Sequence, residues 1–260
     1  MCRKVNTAPD FLVVPSRARK PRRHGLTHVL DKGLPPADTA RLLRTCGEFV
    51  DIWKFGWGTA YLDPGLAEKL AILREHGVLA CTGGTLLEVA WHQGVVGKFL
   101  AWAAESGFPC VEVSSGVADL GADEKREVIE VAAERFVVLA EIGSKDPQAE
   151  VSPGVWADAA VADREAGATW VVTEGRESGT VGLFSADGKV RSEVADAVAD
   201  AVGVECVVFE APRKEQQAWL VRRYGADVNL GNIAPAETLG VEALRLGLRA
   251  DTFDAPAVRS

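Results

Sequence analysis

The sequence predicts an α/β fold, a single (β/α)8 TIM barrel with a short N-terminal arm. Three observations carry that reading. A short β-branched run, a polar loop and an amphipathic helix recur eight times along the 260 residues. The runs are too continuously apolar for an antiparallel sheet with one wet face, so they read as parallel strands covered by helices. Their starts are spaced by roughly 20 to 37 residues, the length a βα unit needs. An open doubly wound sheet would carry a glycine-rich phosphate turn after its first strand, and DKGLPP is not GxGxxG.

In chain order, the basic segment 1–24 is expected to be a flexible arm. Its apolar piece, Phe11 to Val14, is too short for a signal-peptide core or a membrane span. The barrel is assigned to 25–253 and a tail to 254–260. Strands are expected within LTHVLDKG (26–33), FVDIWKFG (49–56), VLACTGG (78–84), PCVEVSSG (109–116), FVVLAEIG (136–143), TWVVTEGRE (169–177), ECVVFEAP (205–212) and ADVNLGNI (226–233). Pro35 opens the first helix and Gly47 closes it, with Leu42, Leu43 and Cys46 on one face. Lys125, Val128, Ile129 and Ala132 mark another apolar face, with Lys125 at its edge. Val190, Val194, Ala197, Val198 and Ala201 mark a third before Gly203.

A net charge of −8 excludes a general nucleic-acid or anionic-membrane binder, which needs a basic surface. Five cysteines without CxxC spacing sit mostly in apolar runs, as thiols in a reducing compartment do, so a cytoplasmic protein is expected.

In a barrel the C-terminal strand ends form the active site, and alternate side chains of each strand face inward. If Glu174 faces inward, Trp170 and Val172 lie beneath it. The same parity puts Leu139 beneath Glu141, Cys110 beneath Glu112, Val208 beneath Glu210 and Ile52 beneath Lys54. Four acids crowning neighbouring strands repel. At roughly 6 Å and an effective dielectric near 20, each adjacent pair costs about 3 kcal/mol. A divalent cation, basic side chains or both must answer that charge, and an oxygen-rich carboxylate set suits Mg2+. Glu112, Glu141 and Glu174 are the candidate metal ligands, with structural pairing to neighbouring Lys or Arg around the rim as the alternative. The basic candidates at the rim are Lys32, Lys54, Lys145, Arg176 and Arg213.

Simpler roles compete with these. Lys54 can instead pair with Asp31 or Asp51. Gly83 and Gly84 can form only a tight turn, although adjacent glycines also admit an anion to backbone N–H groups. The four histidines have no metal spacing, and Trp53 and Trp57 are expected to pack at the rim.

The stretches GLTHVLDKGLP, FVDIWKFGWGTA, GGTLLEVA, VEVSSG, EIGSKDP, TEGRESGTVGLF, VVFEAPRKEQQAWL, VNLGNI and EALRLGLRADTF cover about 25–253 in order. Through them the chain resembles the phosphosulfolactate synthase family of coenzyme M biosynthesis. The resemblance implies a carbon–sulfur lyase that adds sulfite to C3 of phosphoenolpyruvate with Mg2+, so the expected partners are small anions. A homo-oligomer is expected as well. By the family motif Lys145 is the first choice to protonate C2, with Lys54 and Lys32 as further catalytic lysines. Arg176, Arg213, Gly83, Gly84, Ser114, Asn229, Gly231 and Asn232 are the expected substrate-binding residues.

The chain departs from the family where Ser144 replaces a lysine, Ser115 an acid and Thr82 a proline. Two alternatives therefore stay open: the same enol chemistry with another nucleophile or a phosphoenolpyruvate-like substrate, and a non-catalytic barrel with a stress or interaction role.

Overall fold

A computed structural model describes residues 11–116, 120–143 and 151–254. Its strands are β1 (Thr27–Asp31), β2 (Ile52–Phe55), β3 (Leu79–Thr82), β4 (Cys110–Val113), β5 (Val137–Ile142), β6 (Trp170–Thr173), β7 (Val207–Glu210) and β8 (Asn229–Ile233). They pair in sequence order, and β8 closes onto β1. Every pairing is parallel. Each strand lies inside the apolar run expected to form it, and the closed ladder excludes the open sheet.

Helices cover the outside. α1 (Pro36–Cys46) starts behind Pro35 and stops at Gly47. α2 (Thr59–Leu62) and α3 (Leu66–Glu75) share the second connection, and α4 (Gly84–His92) and α5 (Val96–Ser106) the third. The remainder are α6 (Ala122–Ala133), α7 (Pro153–Glu165), α8 (Ser192–Val202), α9 (Lys214–Tyr224) and α10 (Thr238–Arg245). At the start of α6 the Gly121 N–H donates to Glu124 Oε2 at 2.9 Å, satisfying one of the N–H groups a helix start leaves open. Val190 stands before α8 and makes an isolated antiparallel bridge with Phe184. Among the described residues no helix is long and apolar enough to cross a membrane.

Alternation sorts the core into layers. Leu26, Ile52, Cys81, Cys110, Leu139, Trp170, Val172 and Val208 fill the bore. The opposite parity faces the helices, with Val29, Trp53, Phe55, Val111 and Val138 in one cluster and Val171, Val207, Phe209 and Leu230 in another. The residues expected beneath Lys54 and the four glutamates are all in the bore. Each buried aliphatic or aromatic side chain contributes about 1.5–3 kcal/mol.

Buried ion pairs brace the outer layer near the strand ends. Lys69 of α3 is fully buried and pairs with Asp31 and Asp63. Lys125, expected at a helix edge, is buried and donates to Glu141 O at 2.8 Å and Asp163 Oδ2 at 2.5 Å, tying the end of β5 to α6 and α7.

The described basic residues of the arm make ion pairs and hydrogen bonds to the barrel. Arg17 pairs with Asp227 and, at 3.0 Å, with Glu242. Lys20 donates to Gly47 O at 2.7 Å, and Arg22 reaches Asp51 at 3.1 Å. Trp170 Nε1, at the start of β6, donates to Arg23 O at 3.2 Å. Asp51 and Asp227 precede β2 and β8, so the arm crosses the N-terminal floor of the barrel, where its cations meet Asp51, Asp227 and Glu242.

Candidate active site

Inward parity carries Lys54, Glu112, Glu141, Glu174 and Glu210 to the C-terminal mouth, where all five are buried and line a cavity of about 240 Å³. Lys54 lies between two acids, 3.0 Å from Glu112 Oε2 and 2.9 Å from Glu210 Oε1. It does not pair with Asp31 or Asp51, which are taken by Lys69 and Arg22.

Backbone donors hold the carboxylates in place. Gly84 N–H, at the start of α4, donates to Glu112 Oε1 at 2.9 Å. Gly175 N–H donates to Glu210 Oε2 at 3.0 Å, and Arg176 N–H to Glu174 Oε1 at 2.8 Å. The segment after β6 is therefore organised around the acids.

One carboxylate oxygen from each of Glu141, Glu174 and Glu210 lies within 4.8 Å of the others. Glu112, expected among the metal ligands, is held instead by Lys54 and the α4 N-terminus, and Glu210 takes the third place in the cluster. Burial pushes the Glu112 carboxyl up to about 7, helped by Glu141 and Glu210 and opposed by Lys54 and the Gly84 N–H. Burial disfavours the Lys54 ammonium, but Glu112, Glu210 and Glu141 outweigh it and raise Lys54 well above the ordinary lysine value. The buried carboxyl groups form an all-oxygen set, the donor chemistry a hard divalent cation takes.

The cavity wall is strained. Trp57 (φ 55°), Arg176 (φ 51°) and Asn232 (φ 54°) are the non-glycine residues with positive φ among those described, and all three line it. Each such conformation costs about 1–2 kcal/mol, so the surrounding structure must enforce it. The buried Asn232 Oδ1 has no hydrogen-bond partner among the described residues.

The other expected residues divide. Gly83 and Gly84 line the cavity. A Cβ on Gly83 would lie 2.7 Å from Phe55 O, and one on Gly84 would strike Ser114 Oγ, so glycine here lets the α4 N-terminus reach Glu112. The buried Ser114 hydroxyl donates to Glu88 behind Gly84 and is not on the cavity wall. Asn229 lies away from the cavity. It begins β8 at the floor, accepts from Leu26 N–H at 3.0 Å, and donates to Glu205 O and Val207 O at 2.9 Å each, which commits the whole amide. Gly231 sits beneath the cavity against His28 and Val208. His28 is fully buried; burial and the Lys54 charge hold its ring neutral.

Arg213 runs under Gly188 of the segment after β6 and is not on the cavity wall. Lys32 stands at the rim, 4.8 Å from the Trp57 ring centroid. Trp53 is buried and donates to Asp31 Oδ2 at 3.0 Å, whereas Trp57 lines the cavity. Lys145, Ser144 and most of EIGSKDP lie outside the described residues. The parity argument alone could have placed Glu210 in the metal cluster, because it marks Glu210 as equivalent to the other three acids.

Solved structures share the fold. The chain superposes on 3-hexulose-6-phosphate synthase from Salmonella typhimurium with a TM-score of 0.56 and 12% identity, covering 84% of this chain and 97% of that one. Thiamine phosphate pyrophosphorylase from Pyrococcus furiosus gives a TM-score of 0.54 at 16% identity, with 86% and 95% covered. Sequence relatives are closer. A phosphosulfolactate synthase of Methanocaldococcus jannaschii is 41% identical over 239 residues, 89% of this chain and 94% of the relative. One from Methanothermobacter thermautotrophicus is 39% identical over 250 residues, 94% and 96%. One from Bacillus subtilis is 38% identical over 248 residues, 94% and 98%. The profile of the (2R)-phospho-3-sulfolactate synthase (ComA) family matches residues 15–251, so the chain, an eight-stranded barrel with an acid-crowned mouth, belongs to the phosphosulfolactate synthase family.

Proposed function

We propose that this chain is a Mg2+-dependent phosphosulfolactate synthase that joins sulfite to C3 of phosphoenolpyruvate. The observation that carries the reading is the meeting of Glu141, Glu174 and Glu210 at the mouth of a cavity that also holds Lys54 and Arg176. These three carboxylates would hold Mg2+. When bound, the ion would supply positive charge where negative charge develops on the substrate carboxylate.

The chain's own groups do the rest. Sulfite sulfur donates its lone pair to C3, the C2–C3 π pair moves toward the carboxylate, and an enediolate-like species results. Lys54 stands beside this site with its ammonium fixed by two acids, so its field needs no reorganisation during the reaction. Arg176 and the Asn232 amide, both forced into the cavity wall, bind the anionic groups of the substrate. Protonation at C2 completes the addition, and the family motif assigns the proton to Lys145. Retention of five buried ionisable groups around one cavity argues against an idle barrel, because such a set gives folding nothing by itself.

The test is direct. Purified protein with phosphoenolpyruvate, sulfite and Mg2+ should consume phosphoenolpyruvate and yield a product of the mass of phosphosulfolactate, and chelation should stop it. Folded, Mg2+-binding protein that leaves both substrates untouched would refute the reading.

A further inference from the structure

Trp57 is an expensive residue in its position. Its backbone is left-handed at φ 55°, a conformation glycine adopts freely and a bulky side chain resists, yet it stands between Gly56 and Gly58. The residue is 57% exposed, so core packing does not account for it. It lines the cavity and carries the Lys32 ammonium 4.8 Å from its ring centroid.

Lys32 differs from the other described lysines near the strand ends. Lys54, Lys69 and Lys125 each pair with carboxylates, which cancel their charge. Among the described residues Lys32 has an aromatic face as its only partner. A π face orients an ammonium without neutralising it. The base of Lys32 is also fixed, because the preceding Asp31 accepts from Gly33 N–H at 2.8 Å and Leu34 N–H at 2.7 Å and is itself buried.

We propose that Trp57 is a positioning residue: its indole holds Lys32 at the cavity mouth as an uncancelled cation that captures the anionic substrate. This rests on the assignment of phosphoenolpyruvate as substrate. The strain at Trp57 aims the ring, the ring aims the lysine, and the net positive charge draws in the polyanion before the buried groups act on it.

The experiment compares wild type, Trp57→Leu, Trp57→Phe, Trp57→Gly, Lys32→Gln and the Trp57→Leu/Lys32→Gln double variant. The readouts are steady-state kinetics and calorimetric titration with phosphoenolpyruvate and Mg2+. Trp57→Leu should raise KM and Kd about fivefold with kcat within about twofold, and Trp57→Phe should restore most of the loss. Trp57→Gly relieves the backbone, so it should melt no lower than wild type while showing the same rise in KM; it serves also where the leucine variant fails to fold. The double variant should bind no worse than Lys32→Gln alone.

Unchanged KM and Kd in a folded Trp57→Gly protein, or multiplicative effects in the double variant, overturn the proposal. Wild type that binds phosphoenolpyruvate in a Trp57-dependent way but does not react it with sulfite supports the platform and overturns the assigned reaction. Wild type that neither binds nor converts phosphoenolpyruvate overturns both.

Discussion

Glu112 makes a quantitative prediction about stability. Its carboxyl rises from 4.5 in the unfolded chain to about 7 in the folded protein, chiefly because only 2% of the residue remains exposed. The folded state therefore binds this proton more tightly. Its contribution to stability is fully present below pH 4.5, falls as pH rises, and is gone above about pH 7. The difference amounts to about 3 kcal/mol, at 1.36 kcal/mol per pKa unit. Glu112→Gln removes the titration while keeping an oxygen for the Gly84 N–H. Urea unfolding of metal-free wild type and variant, at half-unit steps from pH 5 to pH 8, isolates the group as the difference between the two curves. Wild type should lose stability relative to Glu112→Gln across that window. Parallel curves would show that Glu112 is ionised in the folded protein at pH 5, and the account of its burial would fall.

Other outcomes are equally specific. Glu174→Gln or Glu210→Gln should weaken Mg2+ binding about tenfold or more, since each removes one charged ligand from a three-carboxylate set, and calorimetric Mg2+ titration checks it. Asn229→Ala should cost about 3 kcal/mol through the three backbone groups it strands, yet leave KM for phosphoenolpyruvate unchanged; a raised KM in folded variant would return Asn229 to the substrate. Gly84→Ala should lose about 1–3 kcal/mol in chemical denaturation and most of its kcat, because the new Cβ collides with Ser114 and pushes the α4 N-terminus off Glu112.

The barrel was legible because its signals are local and repeated: strand runs, helix ends at Pro35 and Gly47, and the parity that buries Leu139 under Glu141. The ionisable crown followed from the same parity. Partnerships across the mouth were not legible. Lys54 reaches both β4 and β7, and which acids meet it depends on strand stagger and side-chain reach, which no single strand encodes. Asn229 and Asn232 look equivalent in VNLGNI, yet they lie at opposite ends of one five-residue strand. Ser114 fails for a related reason: alternation aims it at the axis, but the close approach of Gly84 leaves it facing Glu88. The arm's partners were not legible because its cations find acids distant in sequence, Arg17 with Asp227 before β8 and with Glu242 of α10 for instance.

That arm also dictates how the molecule can be handled. Because Arg17 to Arg23 cross the face opposite the reaction chamber, a tether joined upstream of them leaves the chamber facing outward. Protein immobilised on a bead or sensor through its leading end would accept small anions from bulk solution without the support standing in the way.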